Sequence, residues 1–320
     1  MFAEDNTIVI YFHRGCNDGR LAASLLARFI TRTTSDTIEL RSLTPSMHDW
    51  MEQACVARRA YFVDLFPEEV LVPTLEAKYE HIVVVDHHAT PQELAARLRD
   101  SPQWTVHLDP SACGAALVAR LFPLPDAARW TLAVEMADKY DRWLEPTDDV
   151  FAWMFASQRL WNDLGPEKTD LARCLRYADA LADATRELMR ALGAPVFGPL
   201  KTMYRLQRPF AIRLADPAPE WDGMAIAMVR NDLLNPSIAC HWMLQANPRA
   251  EVALMISIDA RKADRMYVAS VRSRTLDTTK HVPGAKGHPC ASGCVLTQAQ
   301  MDSAEIINEQ GLCHAEIGCH

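Results

Sequence analysis

Four short runs of β-branched and aromatic residues dominate the first third of the chain: Thr7–Phe12 (TIVIYF), Ala60–Asp64 (AYFVD), His81–Val85 (HIVVV) and Trp104–Leu108 (WTVHL). Each has the length of a buried strand. Amphipathic stretches lie between and after them: Leu21–Phe29 sets Leu21, Leu25, Leu26 and Phe29 on one helical face, and Ala115–Leu121 and Trp130–Ala137 behave alike. Apolar strands alternating with helices call for a parallel sheet covered on both faces, an α/β fold. Ligands of such sheets bind beyond the carboxyl ends of the strands, so the residues that end each strand carry most information.

The second half continues the theme on a smaller scale. Glu167–Leu192 reads as one long helix stopped by Gly193, and Gly193–Leu200 (GAPVFGPL) reads as a boundary. Beyond it, Phe210–Leu214, Met224–Val229, Val252–Ile258 and Met266–Val271 are strand candidates and Pro236–Leu244 a helix. The expected organisation is a catalytic domain over 1–192, a helical linker over 193–207, a smaller α/β substrate-binding domain over 208–300 and a tail over 301–320. A length of 320 residues suits two domains.

With 49% hydrophobic residues the chain is no disordered polymer, and its net charge of −8 excludes a broad basic surface for long nucleic acids. No apolar run approaches the ~20 residues of a membrane helix. The opening MFAEDNTIVIYFHRG lacks the basic and apolar regions of a signal peptide. Nine cysteines without regular spacing then read as thiols rather than disulfides, and the expected location is cytoplasmic.

Three strands run directly into metal-ligand chemistry. The first leads to His13, Cys16 and Asp18 (FHRGCNDG), the second to Asp64 (FVDLFP), the third to Asp86, His87 and His88 (VVVDHH). One Asp at a strand end is ordinarily a cap or turn residue, and one HH pair a surface feature; the conjunction at three strand ends is neither. Carboxylates with imidazoles suit a hard or borderline divalent ion, Mn²⁺ first, and closely packed carboxylates need such a cation to stay ionised.

These segments resemble the motifs of the DHH phosphoesterase family. VVVDHH is similar to its signature, FHRGCNDGRLAA to its first motif, Asp64 to the lone aspartate of its second, and DPSACGAALVARLF to the helix start that follows DHH. SVRSRTLDTTKHVPGAKGHPCASG resembles the family's C-terminal substrate-binding domain, so the resemblance runs from Thr7 to Cys294. It implies that His13, Asp18, Asp64 and His87 are metal ligands with Asp64 between two ions, that Asp86 is a ligand or orients the histidines, and that His88 faces the phosphoryl group. One further aspartate is expected in MADKYDRW, where Asp138 and Asp141 both qualify and Asp138 is preferred. Cys16 stands where most of the family has an aspartate; it is either a thiolate ligand, favouring Zn²⁺ or Fe²⁺, or a bystander. In the second domain Arg272, Ser273, Gly287, His288 and Gly293 are the expected phosphate contacts, with glycines admitting the phosphate to the backbone.

The activity this implies is hydrolysis of a phosphoester assisted by two divalent ions, Mn²⁺ with Mg²⁺, Zn²⁺ or Fe²⁺ as alternatives, with Asp64, Asp86 and His88 as the catalytic set. Small phosphorylated substrates are expected, short oligonucleotides or dinucleotides, with neither a membrane nor a long duplex as partner; a homodimer is compatible. Pyrophosphatase or polyphosphatase action, and a nucleotide sensor that has lost catalysis, are the alternatives. Trp143 and Trp161 read as core, Asn231 as a turn residue, Lys286 as a solvated charge, and the terminal Cys313, His314, Cys319 and His320 as a frayed segment.

Overall fold

The computed structural model describes residues 6–43, 57–89, 92–164, 171–206, 209–214, 223–229, 234–259, 266–282, 284–297, 299 and 305–307. The chain divides into two compact units between Ala194 and Pro195.

The first unit holds strands β1 (Thr7–His13), β2 (Thr37–Leu43), β3 (Ala57–Val63), β4 (Tyr79–Asp86) and β5 (Trp104–Leu108). Its helices are α1 (Asn17–Thr33), α2 (Val72–Lys78), α3 (Gln92–Arg99), α4 (Gly114–Leu121), α5 (Thr131–Asp141), α6 (Asp148–Asp163), α7 (Leu171–Ala182) and α8 (Arg186–Leu206), the last of which runs on into the second unit. The sheet is parallel throughout, in the order β2-β1-β3-β4-β5. Strand β2 lies at an edge and lacks the continuous apolar run of the inner strands. Ile38 and Leu40 turn inward, while the intervening Glu39 and Arg41 form an ion pair at 3.0 Å that interrupts the apolar run.

Alternate residues of each strand feed two separate layers. Ile8, Ile10, Phe12, Val63 and Val85 pack with Leu21, Leu25 and Leu26 of α1, and Val9, Tyr11, Phe62 and Val84 pack with Leu75 and Leu98 on the opposite face. Trp143 and Trp161 are buried, as expected of core residues. Truncating a fully buried Leu of these layers to Ala costs about 2–5 kcal/mol.

The long helix expected to stop at Gly193 is organised differently. It is broken between α7 and α8, and α8 continues straight through Gly193, Pro195 and Pro199. Gly193 serves close approach to α6: a Cβ there would stand 2.5 Å from the Ala152 carbonyl oxygen. The residue that looked like a helix stop is a packing contact. Among the described residues no helix is long and apolar enough to cross a membrane.

The second unit is a mixed sheet of β6 (Phe210–Arg213), β7 (Met224–Val229), β8 (Val252–Asp259), β9 (Met266–Ser273), β10 (Lys286–His288), β11 (Ala291–Leu296) and β12 (Glu305–Ile307). Its order is β10-β11-β9-β8-β7-β6-β12, with α9 (Pro236–Ala246) against β8 and β9, and the short α10 (Thr278–His281) beside β10 and β11. Asn235 caps α9, its Oδ1 accepting from the Ser237 and Ile238 N–H groups. Part of the tail is ordered into the sheet, since β12 pairs with β6. Asn231, Cys313, His314, Cys319 and His320 lie outside the described residues.

Candidate metal centre

Strand order places the centre. β1 lies beside β3 and β3 beside β4, and the registers align Phe12 with Val63 and Val63 with Val85. The next residue of each strand is therefore His13, Asp64 and Asp86, side by side at the carboxyl edge. Because the chain moves outward in one direction from β1 to β2 and in the other from β3 onward, the centre sits at the switch point of the sheet, the usual place for a ligand.

Asp64 stands at the middle. The chain leaves β3 through it at a φ of +55°, a left-handed conformation that Asp tolerates better than most residues. Its Oδ1 lies 2.9 Å from His87 Nε2 and its Oδ2 3.7 Å from His13 Nδ1. The carboxylate is 1% exposed, and Oδ2 has no hydrogen-bond partner. Burial opposes its ionisation, but the adjacent His13 and His87 imidazoles outweigh burial and hold its pKa below the ordinary carboxylate range.

Asp18, from the first turn of α1, accepts from the N–H groups of Gly114 at 2.7 Å and Ala115 at 2.8 Å, closing the N-terminus of α4 across the fold. Its Oδ2 is 3.7 Å from His87 Nε2, and Asp141 Oδ2 is 3.3 Å from the same nitrogen. Burial and the Asp64 and Asp141 charges push the Asp18 pKa well up. The His87 pKa is raised to about 10: burial opposes this, and Asp64, Asp141 and Asp18 prevail. Asp86, fully buried, meets His88 Nδ1 at 2.7 Å through Oδ1, while its Oδ2 has no hydrogen-bond partner. Against burial, this contact lifts His88 to about 9.

Of the two aspartates in MADKYDRW, the structure brings Asp141 to the cluster. Asp138, preferred from sequence, is occupied elsewhere: its Oδ1 accepts from the Cys113 N–H at 2.7 Å and its Oδ2 pairs with Arg142 at 3.3 Å. Cys16 also belongs to the cluster, with its Sγ 3.9 Å from Asp141 Oδ1. Burial, then the surrounding carboxylates, raises its thiol pKa.

Among the described residues of the first unit, three sets of donor atoms lie mutually within 4.8 Å: His13, Cys16 and Asp64; Asp18, His87 and Asp141; and Asp64, Asp86, His87 and His88. Buried carboxylate oxygens without donors, beside an Asp18 whose pKa the Asp64 and Asp141 charges raise, are what a cation would relieve. The residues present fit a divalent metal. Gly114 is the member that motif reading passed over: a Cβ on it would stand 2.8 Å from Asp64 Cβ and 3.0 Å from Asp18 Oδ2. The small-residue run CGAA was the available signal.

The residues expected to hold phosphate lie in the second unit. Gly284–Gly293 is for the most part a hairpin, with Lys286 opposite Gly293 and His288 opposite Ala291. Gly287, at a φ of +133° and with a notional Cβ 3.0 Å from the Ala291 carbonyl oxygen, is demanded by the hairpin itself. Arg272 donates to Val271 O at 2.7 Å and Ser237 Oγ at 2.7 Å, at the first turn of α9. Ser273 is fully buried and donates to Leu276 O, which makes it a turn-forming residue of β9's end. Gly293 and Lys286 are exposed.

No family model matches the chain, and no curated protein does. Among solved structures it is similar to a pGpG-specific phosphodiesterase from Vibrio cholerae, at 15% identity over 92% of this chain and 95% of that one, with a TM-score of 0.49. It is also similar to an exopolyphosphatase-related protein from Bacteroides fragilis (11% identity, 91% and 86% covered, TM-score 0.46) and to an uncharacterized protein from Helicobacter pylori G27 (14%, 91% and 93%, 0.35). Likenesses this distant decide nothing about activity, which is read from the centre itself.

Proposed function

We propose that the chain is a metal-dependent hydrolase of phosphoester bonds in small phosphorylated substrates, short oligonucleotides or dinucleotides. The observation that carries this reading is Asp64, whose two oxygens face two different donor groups, His13 and Cys16 on one side and His87 with Asp18 and Asp141 on the other. Those residues would hold the divalent ions, Mn²⁺ first. The chemistry such ions supply is acidification of water and neutralisation of charge at phosphorus.

The chain's own groups do the rest. Asp86 holds His88 at Nδ1, which leaves Nε2 as the nitrogen that can donate to a phosphoryl oxygen. His88 keeps about a third of its side chain exposed, whereas Asp86 and His87 are sealed in, so His88 is the histidine a substrate can reach. In the overall reaction water adds to phosphorus, the ester P–O bond breaks and the leaving oxygen is protonated. Arg272, Gly287, His288 and Gly293 are proposed as phosphate-contacting residues of the second unit, with Ser273 forming the turn at the end of β9. The acidic net charge of −8 favours short substrates over long polyanions.

The test is turnover of dinucleotides, short RNA and DNA, pyrophosphate and polyphosphate with Mn²⁺, against the same panel with a chelator. Release of nucleotide that needs Mn²⁺ and disappears in Asp64→Asn is the expected result. A chain that binds Mn²⁺ yet turns over none of these substrates would overturn the proposal.

A further inference from the structure

The donor groups that meet at Asp64 differ in chemical softness. Asp18, His87 and Asp141 offer only oxygen and nitrogen, whereas His13, Cys16 and Asp64 include a sulfur. Cys16 occupies the N-cap of α1, a position that usually holds a residue whose side chain caps the helix, and it makes no capping hydrogen bond. The thiol is not spent on the helix. A second observation points to a ligand at the same place: Asp64 Oδ2, sealed from solvent and without a hydrogen-bond partner, faces His13 Nδ1 at 3.7 Å. Ligand atoms about 2.0–2.3 Å from one tetrahedral ion stand roughly 3.3–3.8 Å apart. Asp64 Oδ2 and His13 Nδ1, at 3.7 Å, already have that separation, and donor atoms of His13, Cys16 and Asp64 lie mutually within 4.8 Å.

We propose that this centre is chemically asymmetric: Cys16 binds as a thiolate, so that His13, Cys16 and Asp64 form a subsite for a borderline ion such as Zn²⁺, Fe²⁺ or Co²⁺, while Asp18, His87 and Asp141 form a harder subsite for Mn²⁺ or Mg²⁺. The inference rests on the metal-centre reading above and adds the selectivity of its halves. Thiolates select softer ions, and carboxylate sites take Mg²⁺ and Mn²⁺. On binding, the Sγ–metal bond forms, the S–H bond breaks and the proton leaves to solvent, with no change of oxidation state. Asp64 joins the two halves, one oxygen toward each.

Metal-stripped full-length protein is titrated with Co²⁺ and followed by absorption spectroscopy. The expected result is a thiolate-to-cobalt charge-transfer band in the wild type, lost in Cys16→Ser while the weaker ligand-field bands persist. Ligand-field bands without charge transfer in the wild type would overturn the inference and leave the metal centre standing. Absence of any cobalt bands would overturn both. A second measurement needs no variant: alkylation of Cys16 in the wild type, mapped by peptide mass spectrometry, is expected to slow at least about tenfold with one equivalent of Zn²⁺. Equal alkylation with and without Zn²⁺ would count against the thiolate ligand.

Discussion

The Asp18 carboxylate accepts the backbone N–H of Gly114 at 2.7 Å, tying the first turn of α1 to the first turn of α4 directly over Asp64. Neither helix has a side-chain cap of its own: Cys16 and Cys113 hold the two N-cap positions without capping hydrogen bonds. Asp18 and Asp138 supply the missing acceptors for α4 from a distance, so the helix start and the metal centre are one structure.

Gly114→Ala is therefore expected to destabilise the protein by about 1–3 kcal/mol, the usual range for overpacking. The added Cβ would meet Asp64 Cβ at 2.8 Å and backbone Cα at 3.2 Å, neither of which can swing away. Urea unfolding measures the first effect and metal stoichiometry the second, since Asp18 and Asp64 are pushed apart. Wild-type stability with a full metal complement would contradict the contact.

Asp138 and Asp141 separate by function. Asp141→Ala should weaken divalent-ion affinity at least about tenfold, because its carboxylate faces His87. Asp138→Ala should retain the metal and lose about 1–3 kcal/mol of stability, because the Cys113 N–H is left without its acceptor. Calorimetric titration with Mn²⁺, paired with urea curves, distinguishes the two; the reverse pattern would mean the roles are exchanged.

The pH dependence of the metal-free chain has a definite sign. His87 rises from its ordinary value to about 10, so its stabilisation is complete below about pH 6.5 and is lost as pH climbs through 10. The raised Asp18 pKa acts in the same direction. Asp64, depressed, contributes stability above its unfolded value and loses it only in strong acid. With a chelator present, Tm should fall between about pH 6.5 and pH 9.5. Mn²⁺ should flatten or reverse that slope, because the ion takes the place of protons on His87 and Asp18. A chelated protein whose Tm rises over this interval would contradict the assignment.

Asp86→Asn should bring the His88 pKa down from about 9 toward the ordinary imidazole value, since the carboxylate at Nδ1 is what outweighs burial there. The shift is read from the His88 proton resonances by NMR titration. Turnover should fall about 10–100-fold, the typical cost of removing a partner that orients an active imidazole. An unmoved resonance would show that the 2.7 Å contact does not govern His88.

By itself the sequence determined that His13, Asp64 and Asp86–His87–His88 share one edge. Apolar strands alternating with helices run parallel, and parallel strands all end on the same side. What the sequence left open is non-local. Strand order put β1 beside β3 and thereby aligned the row His13, Asp64, Asp86. The edge strand β2 escaped notice because its charged residues alternate with apolar ones, and α8 passes through Gly193 because α6 lies against it. Asp138 and Asp141 stand three apart on one helix, nearly on the same face, so periodicity cannot tell them apart. Only the docking of α5 beside α4 decides which carboxylate meets the Cys113 N–H and which meets His87, because such partners are chosen by packing between elements distant in the chain.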